Sequence, residues 1–166
     1  MTVPEDAYCE LSFSPNISLI STVRRFVGDF YEKVLGDAEV TSRLVVATHE
    51  LLENAVRYSV DGQSSIRIGV GRVEDHVHVV IDTRNKTKPE NRDALMKLLD
   101  EMNASGNRCT FYQALMKRSA TRTEGSGLGL GRIHAESEMD LTCELIDGVV
   151  RLRAEARFPS TKESVS

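Results

Sequence analysis

The apolar residues of this chain change their repeat partway along, and that change restricts the fold more than any other feature. Ile20, Val23, Val27, Phe30 and Val34 recur at intervals of three and four, as do Leu44, Ala47, Leu51, Ala55 and Tyr58. Each set predicts a helix with one buried face. Asn16 or Ser18 offers an N-cap to the first helix and Gly36 ends it; the second runs from about Asp37 to Tyr58, where Asp61-Gly62 breaks the pattern. From Ser65 the repeat becomes two: Ile66, Ile68 and Val70 lead to a turn at Glu74-Asp75 and return as Val77, Val79 and Ile81. A second hairpin pairs Leu141, Cys143 and Leu145 with Val150, Leu152, Ala154, Ala156 and Phe158 across the two-residue turn Asp147-Gly148.

Tyr8 to Phe13 reads as a short first strand. Between the hairpins, Leu95, Leu98, Leu99 and Met102 predict a helix after the polar stretch from Thr83 to Glu90. A loop from Asn103 to Asn107, a short helix from Thr110 to Arg118, and a glycine-rich segment opening a helix that ends near Glu138 complete the insert. The expected architecture is an α+β two-layer sandwich, a mixed, mostly antiparallel sheet covered on one face by helices. With 166 residues and no linker or internal repeat, residues 1–159 read as one domain and 160–166 as a frayed tail.

Composition narrows the function classes. A net charge of −4 and a pI near 5.6, without a basic stripe, argue against a nucleic-acid partner. Cys9, Cys109 and Cys143 are odd in number and lack metal-site spacing, so they read as reduced thiols. The acidic start and the absence of a long apolar run predict a cytoplasmic protein with no membrane span.

Two clusters could carry chemistry. In Gly125-Ser126-Gly127-Leu128-Gly129-Leu130-Gly131, glycines alternate strictly, so the backbone can approach a ligand without Cβ interference. Successive N–H groups at a helix start suit a phosphate; the bland alternative is a flexible hinge. The segment is neither a P-loop nor G-x-G-x-x-G, because no Lys-Ser/Thr closes it and residue 132 is Arg. In the second helix, Glu50 and Asn54 are four apart and share a face, continued by Arg57. A carboxylate beside an amide oxygen suits a hard cation such as Mg²⁺; alone, the pair reads more readily as a solvated polar face. His76 and His78 alternate in a strand and are expected on the outer face of the sheet, and neither His49 nor His134 forms a recognisable nucleophilic triad.

Taken together, Glu-x-x-x-Asn-Ala on an early helix, Asp82 closing a mid-chain hydrophobic strand, and Gly-x-Gly-Leu-Gly-Leu opening a late helix resemble the GHKL superfamily of Bergerat-fold, histidine kinase-like ATPases. The resemblance runs from about Ser42 to Phe158. It is nearest to the stand-alone anti-sigma-factor serine kinases of bacterial partner switching, with a helical insert like that of the Sia-type subgroup. It implies ATP and Mg²⁺ as cofactors, Asn54 as the metal ligand, Glu50 as the catalytic group that orients or deprotonates the attacking hydroxyl, and Asp82 as the acceptor for the adenine amino group. It further implies a phosphate cradle from Gly125, Gly127 and Gly129, with Ser126, Leu128 and Leu130 completing the nucleotide-binding segment. Lys117, Arg118 and Arg122 are the basic candidates for the γ-phosphoryl charge. The partner implied is a STAS-domain antagonist or a sigma factor, phosphorylated on Ser or Thr, with a homodimer compatible with the family.

One departure stands out. The family pattern Asp-x-Gly-x-Gly reads Asp82-Thr83-Arg84-Asn85-Lys86 here. Arg84 and Lys86 are expected to narrow the adenine pocket or rearrange its wall, and Asp82 then reads as a strand-end residue capping the loop. The rival function is a non-catalytic, partner-sequestering module with a degenerate pocket. An ATPase driving dimerisation fits less well, because those relatives carry a transducer domain.

Overall fold

The structure, a computed structural model, describes residues 6–14, 17–120 and 127–160. Its elements are β1 (Ala7–Phe13), α1 (Ile17–Leu35), α2 (Ala38–Tyr58), β2 (Ser64–Val73), β3 (His76–Lys86), α3 (Pro89–Ala104), α4 (Arg108–Ser119), α5 (Leu128–Glu136), β4 (Asp140–Ile146) and β5 (Val149–Pro159). Each boundary has a local cause. Gly36, at φ +66°, lets the chain leave α1 in the left-handed region. The Asp37 carboxylate accepts from the Glu39 and Val40 amides and caps α2. Pro89 starts α3 where no backbone donor is required, and the Asn107 side chain caps α4 through the Thr110 amide. Asp147 and Gly148 both have positive φ, as a tight hairpin turn demands.

The five strands lie in the order β1-β2-β3-β5-β4, and every pairing is antiparallel. The mixed sheet expected from the sequence is therefore a purely antiparallel one. Alternate residues divide the sheet into two faces. Ile66, Ile68, Val70, Val77, Val79, Ile81, Leu152 and Ala154 are buried beneath the helices with Val27, Tyr31, Leu44, Leu51 and Leu52. A fully buried leucine such as Leu51 stabilises the fold by about 1.5–3 kcal/mol. Tyr31 reaches this core by donating its hydroxyl to Thr48 Oγ1 at 2.9 Å, while Thr48 donates in turn to the Leu44 carbonyl. Among the described residues no helix covers the opposite face.

β3 runs four residues past Asp82, to Lys86, because Thr83 and Asn85 continue the inward alternation and pair with β2 and β5. Among the described residues no helix is long and apolar enough to cross a membrane. The tail expectation for 161–166 falls outside the described residues.

Candidate functional site

The helical side of the molecule holds a cavity of about 630 Å³, bounded by Asn54 and Tyr58 on α2, Leu95 and Leu98 on α3, Leu115 and Arg118 on α4, and Gly127 and Leu130. Ligand cavities typically fall in this size range. A narrower recess adjoins it, lined by Glu50, Asn54, Arg57, Gly127, Leu128 and Gly129. The two sequence clusters, distant in the chain, thus meet around one space. Asn54, Tyr58, Gly127 and Leu130 border both parts.

Gly127 occupies the N-cap position of α5 at φ +70°, without a side-chain cap, and the first helical bond runs from the Gly131 amide to the Gly127 carbonyl at 3.0 Å. The first-turn amides of Gly129 and Leu130 precede that bond, so they face out of the helix end toward the recess. A side chain at these positions would displace its neighbours. A Cβ on Gly127 would lie 2.4 Å from Leu98 Cδ2, and one on Gly129 would lie 2.5 Å from Glu50 Oε2. Gly131 has the same constraint from α4, with Leu115 and Tyr112 at 2.7 and 3.1 Å from the would-be Cβ. The glycine alternation therefore serves packing against α2, α3 and α4 as well as backbone access. Gly125, Ser126 and Arg122 lie outside the described residues.

Glu50 is largely covered, with 15% of its side chain exposed, and its Oε1 receives Arg132 Nη1 at 3.3 Å. Arg118 borders the cavity and pairs with Glu101 of α3 at 3.2 Å, tying the two insert helices together; Lys117 is not among the lining residues. Asn91, Lys97 and Glu101 also contribute to the wall. Local spacing alone gives no signal for them, since they read as the polar face of an amphipathic helix.

Asp82 is not at this cavity. Ile81 and Thr83 face the helices, so the alternation turns Asp82 to the uncovered face of the sheet. There Arg151 donates to Oδ1 and Oδ2 at 3.2 and 3.1 Å, and Arg153 donates to the same two oxygens at 2.9 and 3.1 Å. Burial pushes the Asp82 carboxyl up, but the hydrogen bonds and charges of Arg153 and Arg151 outweigh it and hold it below the usual carboxylate range. The structure thus places Asp82, expected at the adenine amino group, away from this cavity, together with Arg84 and Lys86, expected to narrow the pocket. Both share the parity of Asp82 and are exposed on the uncovered face, away from the cavity. Asp82 is not a strand-end cap either, since β3 continues past it.

The histidines fall where the sequence put them or nearby. His76 pairs with Asp75 and His78 with Glu155 on the outer face. His49 meets Glu53 at 3.4 Å on α2. His134 takes a hydrogen bond from Arg108, which also binds the His134 and Met139 carbonyls and Asp140, stitching the start of α4 to the end of α5. All three cysteines are free. Among the described residues no cluster of three or more His, Cys, Asp or Glu is placed to hold a metal ion. A cation here would rely on amide oxygen and substrate phosphate instead, the donor set that suits Mg²⁺.

An α+β sandwich whose helical side encloses a cleft between a Glu-x-x-x-Asn helix and a glycine-capped helix defines a class of nucleotide-cleft domain. The histidine kinase-like ATPase domain matches residues 13–138, and the chain belongs to that family. In fold it is similar to a chain of the SiaB–SiaC complex from Pseudomonas aeruginosa, with a TM-score of 0.67 and 15% identity over 89% of this chain and 88% of that one. Among curated proteins, no relative matches the chain by sequence.

Proposed function

We propose that this protein is a Mg²⁺–ATP-dependent serine/threonine protein kinase of a partner-switching system that phosphorylates a STAS-domain partner. The observation that carries the reading is the convergence of Glu50, Asn54 and the Gly127–Leu130 turn on one recess beside a cavity of ligand size. The first-turn amides of α5 would hold phosphate oxygens and the Asn54 side-chain oxygen would hold Mg²⁺. The bound metal would offset negative charge on the phosphates. Glu50 takes the proton of the attacking hydroxyl, and Arg118, which borders the described cavity where Lys117 does not, is the candidate for the γ-phosphoryl charge. The likeness to a chain of a two-protein complex supports a protein acceptor.

The test is transfer of label from Mg²⁺–ATP to candidate STAS-domain proteins, with Asn54→Ala as control. The expected result is labelled acceptor with the wild-type protein and little with the variant; equal labelling in both removes Asn54 from the metal site. A second reading, a non-catalytic module that sequesters its partner, draws on the position of Asp82, whose carboxylate is occupied on the far face of the sheet. Thermal unfolding with Mg²⁺–ATP separates the two, because a ligand at 100 times its Kd adds about 2.7 kcal/mol. Absence of any shift at millimolar nucleotide would favour the module.

A further inference from the structure

We infer that Arg132 is a positioning residue for Glu50, fixing which carboxylate oxygen faces the α5 turn; the inference deepens the kinase reading above and rests on it. Arg132 lies on the second turn of α5, and its guanidinium is itself held. Nε donates to Glu136 Oε2 at 2.8 Å, one turn further along the same helix, while Nη1 donates to Glu50 Oε1 at 3.3 Å across to α2. The other oxygen, Oε2, lies against the first turn of α5, 2.5 Å from where a Cβ on Gly129 would sit. Glu50 is therefore bracketed at both oxygens, one by a cation and one by bare backbone. Tyr112 of α4 lies beside Gly131, its ring 3.1 Å from where a Cβ there would sit.

A general base must be unprotonated and aimed, and displacement by about an ångström can reduce rate roughly 10²-fold. Oε1 is occupied by the guanidinium, so Oε2, beside the glycine turn, is the oxygen left to take a proton. The Glu136–Arg132–Glu50 chain thus transmits the orientation of α5 to the carboxylate on α2. A purely stabilising role fits the geometry less well: Arg132 is 44% exposed, and ion pairs this exposed contribute little to folding.

The experiment measures kcat, the ATP KM and the melting temperature for Arg132→Met, Arg132→Lys and Glu136→Gln, and for Arg132→Met in a Glu50→Gln background. The probe is labelled Mg²⁺–ATP with an acceptor that the wild-type protein phosphorylates, or release of phosphate to water if it labels none. Arg132→Met is expected to lower kcat roughly 10- to 100-fold with little change in KM or melting temperature. Arg132→Lys is expected to restore most of the rate, and Glu136→Gln to lower it less than Arg132→Met. In the Glu50→Gln background Arg132→Met should cause no further loss. An unchanged kcat in Arg132→Met, or an equal further loss without Glu50, overturns the inference while the kinase reading stands. A wild-type protein that neither transfers nor hydrolyses overturns the kinase reading, and this inference with it.

Discussion

Glu50 and Asp82 are both carboxylates gripped by arginine, yet their surroundings leave them opposite capacities. Asp82, on the uncovered face of the sheet, has two arginines, each donating to both of its oxygens. Glu50, on the helical side, has one arginine on one oxygen and keeps the other beside the glycine turn. A carboxylate whose lone pairs are filled by strong donors is a structural anion; one that is half filled can still accept a proton. The element decides which is which, because a strand residue between two core residues must face away from the helices.

The contrast can be broken first at Glu50. Replacing it with Gln keeps the shape and one acceptor oxygen but removes the proposed base, and phosphoryl transfer is expected to fall by about 10² to 10⁴. A small change in melting temperature should accompany it. Transfer at the wild-type rate would place Glu50 in the same structural category as Asp82.

Asp82→Asn should show the reverse. Removing one member of a buried pair costs about 3–5 kcal/mol, but Arg151 and Arg153 are partly solvated, so a loss of roughly 1–3 kcal/mol is expected by urea unfolding. The nucleotide Kd, measured on folded protein, should stay within about twofold, since Asp82 does not line the cavity. A large loss of ATP affinity in a stably folded Asp82→Asn protein would contradict its position on the far face.

The pH dependence sharpens this further. The Asp82 carboxyl is held below its ordinary range, so its contribution is fully present above the unfolded carboxylate value of about 3.9 and is lost as pH falls through the lower folded value. The stability gap between wild type and Asp82→Asn should therefore be constant from neutral pH to about pH 5 and close only in stronger acid.

The smallest expected effect lies at His134. Burial pushes its pKa down and the neighbouring Arg108 guanidinium adds to that. The unfolded chain then binds the proton more readily, so stability is full above the unfolded histidine value of about 6.5 and declines as pH falls below it. His134→Gln should flatten urea midpoints measured between about pH 5 and pH 8; an unchanged slope would assign the dependence to another group.

Much of this was readable from local spacing. The repeats around Leu44, Leu51 and Ala55 and around Ile66, Ile68 and Val70 face the core as expected, and the Asp147-Gly148 turn forms where it was expected. Glu50 and Asn54 share a recess, as one helical face requires. Asp82 is legible too from strand parity: with Ile81 inward, residues 82, 84 and 86 must point outward. The cavity wall from α3 and α4 was not legible, because Asn91, Lys97 and Glu101 sit in a stretch whose polar residues look like any solvated helical face until α4 packs beside them.

The sequence by itself determined the elements, their buried faces, their caps and the bare-backbone turn, since those depend on residues a few positions apart. Which charges meet was decided only by the tertiary structure. Arg132 stands 82 residues from Glu50, and Arg151 and Arg153 stand 69 and 71 from Asp82. No local repeat specifies such pairs; they follow from how α5 docks on α2 and how β5 registers with β3, and those contacts leave Glu50 engaged at one oxygen and Asp82 at both.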